Sequence, residues 1–541
     1  MLGGERVSER QRFDYIIVGA GSAGCLLANR LSADPRNKVL LLEAGGKDNW
    51  IWLHIPVGYL YAIGNPRADW MFKTASENGL NGRAIAYPRG RVIGGCSAIN
   101  GMIYMRGQAA DYDGWRQLGL EGWGWDDVLP YFRKHEDHHA GATALHGAGG
   151  EWRVERPRVS WPILDAVRQA AAEVGIPEIS DFNGGDNEGS DYFEVNQKTG
   201  VRWSAARGFL KPVLSRGNLR LVTDAQVEHV IIADGRAVGV RYAIAAEAWA
   251  DGEVILAAGA VGTPHLLELS GIGRPEALAN IGRSVIVESA GVGENLQDHL
   301  QLRTIFKISN ARTLNVDFQS YGKRLWIGMQ YVLARRGPMT MAPSQLGLFA
   351  RSSPDYATAN LEFHAQPLSL ERFGEPLHSF PAVTLSVCNL RPASRGSVHA
   401  QSADPRAAPA IRPNYLSQDE DRRVAADSIR LARRICAAPA LARFAPREFL
   451  PGEEAQSEEA LVKAAGDIGT TIFHPVGTAR MGASHDRGAV VDERLRLRGL
   501  RALRIADASV MPRITSGNTN APTYMIAEKG SEMVIEDRRT G

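Results

Sequence analysis

At 541 residues the chain is long enough for two or more domains, and its 44% hydrophobic and 23% charged residues are typical of globular proteins. A net charge of only +2 argues against a nucleic acid partner, because such partners bind strongly basic surfaces. No apolar run reaches the roughly 18 residues of a membrane-spanning helix, so no integral membrane segment is expected.

The chain begins with a charged segment, residues 4–12, which lacks the apolar region of a signal peptide. Four cysteines are scattered along the sequence, and two of them, Cys25 and Cys96, lie in glycine-rich segments. There a cysteine is better explained as a small packing residue than as a disulfide partner. We therefore expect a reducing, cytoplasmic location.

A strand, a glycine-rich turn and a helix come next, followed by a second strand. Gly19, Gly21 and Gly24 form the pattern G-x-G-x-x-G between the first strand and the helix, and Glu43 ends the second strand. Gly19 permits a tight turn, Gly21 lets the backbone approach a pyrophosphate, and Gly24 lets the helix pack closely. The helix N-terminus attracts phosphate, and Glu43 has the position of a ribose-binding carboxylate. The unit predicts dinucleotide binding.

The glycine pattern does not identify which dinucleotide binds. Chains that reduce a flavin with a nicotinamide often carry two such patterns, and the 541 residues contain no second G-x-G-x-x-G. The electrons are therefore expected to come from an organic substrate held directly against the cofactor. A retained flavin fits this better than an exchanging nicotinamide, although the glycines leave both open.

The later elements differ in character along the chain. We predict a helical stretch at 115–132, strands at 220–225, 227–232, 238–244 and 253–258, a helix at 263–269, a strand at 501–506 and a final helix at 523–535. Polar and apolar residues alternate at 360–364, 382–387 and 396–400, which predicts an antiparallel sheet between them.

These elements predict an α/β protein with two domains. The first is a discontinuous, Rossmann-like nucleotide-binding domain, and the second is an α+β substrate domain with a mainly antiparallel sheet. The nucleotide-binding domain is expected to comprise residues 1–160, 205–300 and 465–541. The substrate domain is expected to comprise residues 161–204 and 301–464.

Four further segments carry a family resemblance: 90–100, 259–273, 473–482 and 507–523. The first is dense in small residues, the second is a strand, turn and helix, the third places a histidine before a proline, and the fourth is polar. In this order they resemble the glucose–methanol–choline (GMC) oxidoreductases, FAD-dependent alcohol oxidases and dehydrogenases, over nearly the whole chain. The resemblance is greatest to bacterial choline dehydrogenases and medium-chain alcohol dehydrogenases, whose typical segment is similar to Gly291-Val-Gly-Glu-Asn-Leu-Gln-Asp-His299.

The resemblance implies that FAD lies in an extended pose. The residues expected to bind it are Gly19, Gly21, Ser22, Ala23, Gly24, Glu43, Gly95, Asn100, Val227, Asp507, Ala508, Asn520 and Ala521. By the same resemblance Val227 lies beside the adenine, Gly95 and Asn100 lie near the ribityl chain and flavin, and Asp507 and Ala508 lie by the pyrophosphate. Asn520 and Ala521 lie at the pyrimidine edge of the flavin. Some family members attach FAD through a histidine at the position of Ile99, which cannot do so, and noncovalent FAD is expected.

Two residues are expected to carry the reaction. Hydride removal from an alcohol is easier when a base also takes the hydroxyl proton, and histidine is the natural candidate. By resemblance His474 is this base while hydride passes to flavin N5, and Asn518 hydrogen-bonds the alcohol oxygen. We expect oxidation of a primary alcohol to the aldehyde, with a quinone, a dye or oxygen as electron acceptor.

Other functions stay open. The family also contains lyases, of the hydroxynitrile lyase and decarboxylase types, which keep FAD without net alcohol oxidation. A choline-type substrate and a noncatalytic flavin-binding protein are further alternatives. The aromatic segment 50–61 is expected to form a lid or to pack over the cofactor.

Several histidines are expected to have structural roles. His135 to His139 fits the zinc-protease motif H-E-x-x-H, but extra ionisable groups interrupt it and the glycine that follows is expected to end the helix. No metal is expected there. His364, His378 and His399 are expected to be structural or surface groups.

Overall fold

The computed structural model describes residues 11–244, 246–371 and 375–540. The predicted absence of a signal peptide concerns a segment that lies almost entirely outside these residues. Two seven-stranded sheets form the core of the described chain. Among the described residues, no helix combines the length and the apolar character that crossing a bilayer requires. The cytoplasmic location stays a prediction.

The first sheet carries the nucleotide-binding unit. In order across the sheet its strands are Leu219–Val222, Val39–Leu42, Arg12–Val18, Ala246–Leu256, Arg236–Tyr242 and Val227–Ala233, and Leu503–Ile505 pairs with Ala246–Leu256. Parallel pairing joins Leu219–Val222, Val39–Leu42, Arg12–Val18 and Ala246–Leu256 in this order, and Leu503–Ile505 also pairs in parallel with Ala246–Leu256. Antiparallel pairing joins Ala246–Leu256 to Arg236–Tyr242, and Arg236–Tyr242 to Val227–Ala233. Strand Val39–Leu42 and residues 15–18 of the first strand are buried on both faces, which explains why their sequences are continuous apolar runs.

The second sheet is antiparallel throughout. Its strands in order are Arg447–Leu450, Leu300–Lys307, Ala382–Asn389, Leu361–Gln366, Leu346–Ala350 and Gly189–Tyr192, and Gly469–Thr471 pairs with Leu300–Lys307. Helices Pro162–Glu173 and Asp419–Ala437 pack on this sheet. The predicted α/β class with a mainly antiparallel second sheet is confirmed. The domain boundaries stay a prediction.

Shorter elements complete the described chain. The remaining α-helices are Ser22–Leu31, Tyr59–Ala62, Ala109–Gln117, Trp125–His135, Gly259–Leu269, Pro275–Asn280, Leu314–Gln319, Tyr321–Ala334, Glu458–Ile468 and Asn520–Thr540. Four two-stranded sheets pair Glu136–His138 with Trp152–Val154, Gln197–Lys198 with Val201–Arg202, Ile272–Gly273 with Val287–Glu288, and Ser397–His399 with Ala410–Arg412.

Several sequence predictions about elements need correction. The strand predicted at 253–258 begins at Ala246, and the helix predicted at 263–269 begins at Gly259. The helix predicted at 115–132 is two helices, because Gly119 and Gly122 adopt positive φ between them. The strand predicted at 396–400 pairs outside the large antiparallel sheet. The final helix begins at Asn520 rather than at residue 523.

Candidate active site

One elongated cavity lies where the parallel strands of the first sheet end. Val18, Leu42 and Ala257, at the carboxyl ends of three neighbouring strands, line it. Ligands of open α/β sheets bind at such carboxyl ends. The far end of the cavity reaches the antiparallel sheet at Gln301 and His364. The cavity therefore joins the nucleotide-binding unit to the second sheet.

Three helices begin at the cavity wall. Helices Ser22–Leu31, Gly259–Leu269 and Asn520–Thr540 each have their first residue in the lining. Free N–H groups and the positive end of the helix dipole favour anions at such positions. This donor set fits a pyrophosphate.

The geometry of the first turn is compatible with the roles that the sequence predicts for its three glycines. Gly19 has a φ of +100°, and a Cβ there would lie 2.6 Å from the carbonyl oxygen of Ala257. A Cβ on Gly24 would lie 1.8 Å from the carbonyl oxygen of Gly19, so only glycine lets the helix approach. At Gly21 the nearest atom to a Cβ is Cα of Gly95 at 3.9 Å, and Gly21 lines the cavity. The backbone at Gly21 is therefore open to a ligand.

Glu43 is fixed at the entrance to this turn. Its carboxylate accepts hydrogen bonds from the backbone N–H groups of Ala20, at 2.9 Å, and Gly45, at 2.8 Å. Burial raises the pKa of this carboxyl to about 7. Glu43 and Val227 line the same cavity, as an adenosine site requires.

Two polar residues from the C-terminal part of the chain, Asp507 and Asn520, line the cavity. Asp507 accepts hydrogen bonds from the N–H of Gly259 and the hydroxyl of Thr263, and it thereby fixes the start of that helix. Asn520 donates its Nδ2 to the hydroxyl of Ser22 at 2.9 Å. Its Oδ1 is buried without a hydrogen-bond partner among the described residues. A free acceptor at this wall fits a ligand with donor groups, such as a flavin.

Most of the predicted cofactor residues meet at this cavity. Those in its lining are Gly19, Gly21, Ser22, Ala23, Glu43, Gly95, Asn100, Val227, Asp507, Ala508 and Asn520. Gly24 and Ala521 are not in the lining: Gly24 acts in helix packing, and Ala521 is buried in the final helix. Ile99 lines the cavity and offers no nucleophile for a covalent link.

The predicted catalytic pair lies at the end of the cavity next to the antiparallel sheet. Nε2 of His474 is 3.0 Å from Nδ2 of Asn518, and both residues line the cavity. On its other side, Nδ1 of His474 is 3.0 Å from Nδ1 of His299. Nε2 of His299 is 3.1 Å from the carbonyl oxygen of Leu390.

These contacts determine which ring nitrogens of His299 and His474 carry a proton. A carbonyl oxygen only accepts, so His299 donates from Nε2 to Leu390, and the Nδ1 of neutral His299 carries a lone pair. His474 must then donate from Nδ1, which leaves the lone pair of His474 on Nε2, towards the cavity. Burial, with electrostatic interactions between the imidazolium form of His474 and His299, His364 and Arg89, lowers the pKa of His474 well below 6.5. His474 is therefore a neutral base whose unprotonated nitrogen, Nε2, lies at the cavity and accepts a hydrogen bond from Nδ2 of Asn518.

Asp298 holds the backbone of the histidine turn. Its carboxylate accepts hydrogen bonds from the hydroxyls of Tyr87, Tyr415 and Thr471 and from the N–H of His474. Asp298 is buried. Consecutive residues thus fix His474: Asp298 binds its backbone, and His299 binds its ring.

Arg202 supports the small-residue loop. Its guanidinium donates to the backbone oxygen of Asn100 at 2.6 Å, to Oδ1 of Asn100 at 3.0 Å and to the carbonyl of Pro56 at 3.2 Å. Burial lowers the pKa of Arg202 to about 9. This contact fixes Asn100 at the cavity.

Sequence reasoning missed several residues of the site. His364, expected to be a structural or surface group, lies buried in the cavity wall, 3.2 Å from the carboxylate of Glu362, so the surface alternative is excluded. Asp298 and His299 lie in the segment 291–299, which resembles the family but received no role. The signal that could have found His364 is strand alternation, which places His364 and Gln366 on one face of their strand, and both line the cavity.

The other histidines have structural contacts. The helix ends at His135, so His135 and His139 do not share a helical face as the zinc-protease motif requires. Glu194 instead accepts from both His138 and His139. His399 lies between Glu268 and Glu294, and His378 lies 3.0 Å from the hydroxyl of Ser369.

Comparison with known proteins identifies the family of this chain. The GMC oxidoreductase family models match residues 13–301 and 392–527. The chain is 42% identical to an alcohol dehydrogenase [acceptor] of Pseudomonas putida, covering 97% of this chain and 96% of that one. It is 39% identical to the mitochondrial choline dehydrogenase of Homo sapiens, covering 97% and 90%. A solved Aspergillus oryzae formate oxidase, studied for its FAD modification, is 27% identical with a TM-score of 0.90, covering 99% and 100%. The chain therefore belongs to the GMC oxidoreductase family.

Proposed function

We propose that this chain, an FAD-dependent oxidoreductase acting on CH–OH groups, oxidises a primary alcohol to the aldehyde with noncovalent FAD and His474 as the general base. The observation that carries the proposal is the lone pair on Nε2 of His474, which the chain of contacts through His299 directs into the cavity beside Asn518. The nucleotide-binding unit and the antiparallel sheet would form the cofactor and substrate domains.

The cavity residues have separate roles in the proposed reaction. Glu43 would bind the ribose, and the three helix N-termini would bind the pyrophosphate. When bound, FAD supplies the hydride acceptor, at N5 of its ring. When the alcohol binds, its hydroxyl replaces Nδ2 of Asn518 as the donor to Nε2 of His474, and His474 takes the hydroxyl proton there because that nitrogen carries none. Nδ2 of Asn518 donates to the alcohol oxygen as negative charge develops on it.

The side chains that line the cavity near His474 favour an uncharged substrate over a choline-type one. The carboxylates in the cavity lining, Glu43 and Asp507, lie in the cofactor part, where they bind backbone and hydroxyl groups. Near His474 the lining offers the cationic Arg89 and the neutral amide of Gln301. A quaternary ammonium would find no carboxylate partner among these lining residues.

The electron acceptor is proposed to be a quinone or a dye rather than oxygen. Support comes from the 42% identical relative, whose name gives an unspecified acceptor, whereas relatives of 37% and 39% identity are named as oxygen-dependent choline dehydrogenases. Oxidation of one alcohol, followed in parallel by dye reduction and by oxygen consumption, tests this choice. Faster turnover with oxygen than with the dye would overturn it.

The central experiment mixes purified protein with an alcohol without oxygen. Bleaching of the flavin absorbance supports oxidation, whereas a lyase of the same family would leave the flavin oxidised. His474→Ala should retain FAD but slow the bleaching by about 100- to 10,000-fold. His378→Ala is the matched control, because His378 contacts Ser369 outside the cavity lining. An unchanged rate in His474→Ala would overturn the role of the base.

Two further measurements test cofactor attachment and substrate charge. Acid precipitation should release all FAD into the supernatant, and flavin that stays with the protein would contradict noncovalent binding. Choline and its neutral tert-butyl analogue have nearly the same shape. The neutral alcohol should have the higher kcat/KM, and a preference for choline would overturn the assignment of an uncharged substrate.

A further inference from the structure

Helix Tyr321–Ala334 lies on the surface of the protein with a broad apolar face in solvent. Its buried residues are Ile327 and Tyr331. The exposed apolar side chains on it and on the preceding helix are Phe318, Tyr321, Leu325, Trp326, Met329, Val332 and Leu333. The exposed fraction reaches 86% at Tyr321 and 81% at Leu333. Isolated apolar side chains are normal on a surface, but a contiguous group of this kind marks an interaction site.

The spacing of these residues places them on one side of the helix. Tyr321, Leu325, Met329 and Val332 follow each other by four, four and three positions, which is the period of an α-helix. Trp326 and Leu333 widen the same face. Ile327, Tyr331 and the helix ends hold the helix to the protein, so the apolar face points away from the core.

The charges around this face are positive. Lys323, Arg324, Arg335 and Arg336 lie on or next to the helix and are all exposed. The single carboxylate of residues 313–337, Asp317, is buried and bonded to Arg312 and Lys323. Exposed aromatic and aliphatic residues flanked by basic ones are the composition of helices that lie in the interface of an anionic membrane.

We propose that helix Tyr321–Ala334 docks the protein on an anionic lipid bilayer, with its apolar face in the interface and its basic residues on the headgroups. The helix has 14 residues, about 21 Å at 1.5 Å per residue, which is too short to cross a bilayer of roughly 30 Å. A symmetric contact with a second copy is disfavoured, because it would bring the same four basic residues against each other.

The position of this helix relates docking to the active site. A short helical turn, Pro338–Thr340, follows it directly and contacts the turn Pro56–Gly58. Pro343 and Ser344, a few residues further on, line the cavity. Docking would therefore bring the cavity close to the membrane, where apolar alcohols and quinones concentrate.

The test is flotation of the FAD-loaded protein with vesicles of phosphatidylcholine alone or with added phosphatidylglycerol. The wild type should float with the anionic vesicles and much less with the neutral ones. Val332→Glu with Leu333→Glu should weaken anionic vesicle binding at least tenfold and leave oxidation of a short alcohol with a dye unchanged. Val285→Glu with Ile286→Glu is the matched control, because these apolar residues are exposed elsewhere, and it should float like the wild type.

Three outcomes would overturn the proposal. The first is a wild type that stays with the soluble fraction in the presence of anionic vesicles. The second is equal binding of the Val332/Leu333 double variant and the wild type. The third is a wild-type dimer in gel filtration that the double variant converts to a monomer, which would assign the face to a second copy of the chain.

Discussion

Nδ1 of His299 lies 3.0 Å from Nδ1 of His474, deep in the wall of the active-site cavity. The contact fixes both rings, because the carbonyl of Leu390 already takes the other proton of His299. In the proposed reaction His299 therefore keeps the proton of His474 on Nδ1 and leaves Nε2 unprotonated, able to accept from the alcohol. His299 acts on the reaction through His474 and is a positioning residue.

Replacing His299 tests this arrangement. His299→Phe removes the acceptor for the Nδ1 proton, so His474 can adopt the tautomer that has no lone pair on the cavity side. We expect flavin reduction by an alcohol to slow by about 10- to 100-fold, measured by anaerobic stopped flow, while FAD stays bound. His299→Gln keeps an acceptor oxygen and should recover part of the rate. Equal rates for the Phe and Gln variants would contradict the positioning role.

The pH dependence follows from the low pKa of His474. Burial first, and then electrostatic interactions with His299, His364 and Arg89, lower this pKa well below 6.5. A base must be unprotonated to act, so its activity is lost only as pH falls through its pKa. Flavin reduction should therefore be independent of pH around neutrality and decline only well below pH 6.5. A decline centred at or above 6.5 would contradict this assignment.

Arg89 provides a charge test of the same pKa. Arg89→Met removes a positive charge near His474, which favours the protonated imidazole and raises its pKa. The decline in flavin reduction should move to higher pH. Arg89→Lys keeps the charge and is the matched control, and its profile should stay close to that of the wild type. A decline at lower pH in Arg89→Met than in the wild type would contradict this prediction.

Asp298 should contribute mainly to stability and to the position of His474. Its carboxylate accepts from three hydroxyl groups and one backbone N–H, all in a buried site. Asp298→Ala leaves these donors without an acceptor, and the expected cost is about 1–3 kcal/mol for each buried group that stays unpaired. The thermal midpoint should fall clearly, whereas Asp467→Ala, which removes an exposed ion pair with Lys463, should change it little. Equal midpoints for the two variants would contradict the prediction.

The nucleotide-binding part of the fold could be predicted because its determinants are local. Gly19, Gly21 and Gly24 lie within six residues, and strand, turn and helix follow from hydrophobic pattern and glycine geometry. Glu43 follows at the end of the next strand of the same unit. The burial of these strands on both faces explains their continuous apolar sequences.

The substrate end could be predicted only in part, because its residues meet through tertiary structure. His474 and Asn518 are named by resemblance, but nothing in the sequence indicates that His299, 175 positions before His474, contacts its ring. The sequence left open whether His364 is a structural or a surface group, because an alternating strand does not reveal which of its faces is covered. The second sheet lies against the cavity, and that contact decides the role of His364.

Gly21 and Gly24 separate cofactor binding from folding. Gly24→Ala places a Cβ 1.8 Å from the carbonyl oxygen of Gly19, and the overpacking should cost about 3 kcal/mol or prevent folding. Gly21 has a φ of −78° and no atom within 3.9 Å of its Cβ position, so Gly21→Ala should fold with the melting temperature of the FAD-free wild type.

The new methyl group of Gly21→Ala would enter the cavity where the pyrophosphate is expected, since Gly21 lines it. A clash of about 1–3 kcal/mol weakens FAD binding by about 10- to 100-fold, measured by titrating flavin-free protein with FAD. Gly114→Ala is the control, because a Cβ there meets no atom within 4 Å and Gly114 is not in the cavity lining. Wild-type FAD affinity in a folded Gly21→Ala variant would mean that the cofactor does not approach this turn, and the proposed location of the pyrophosphate would be wrong.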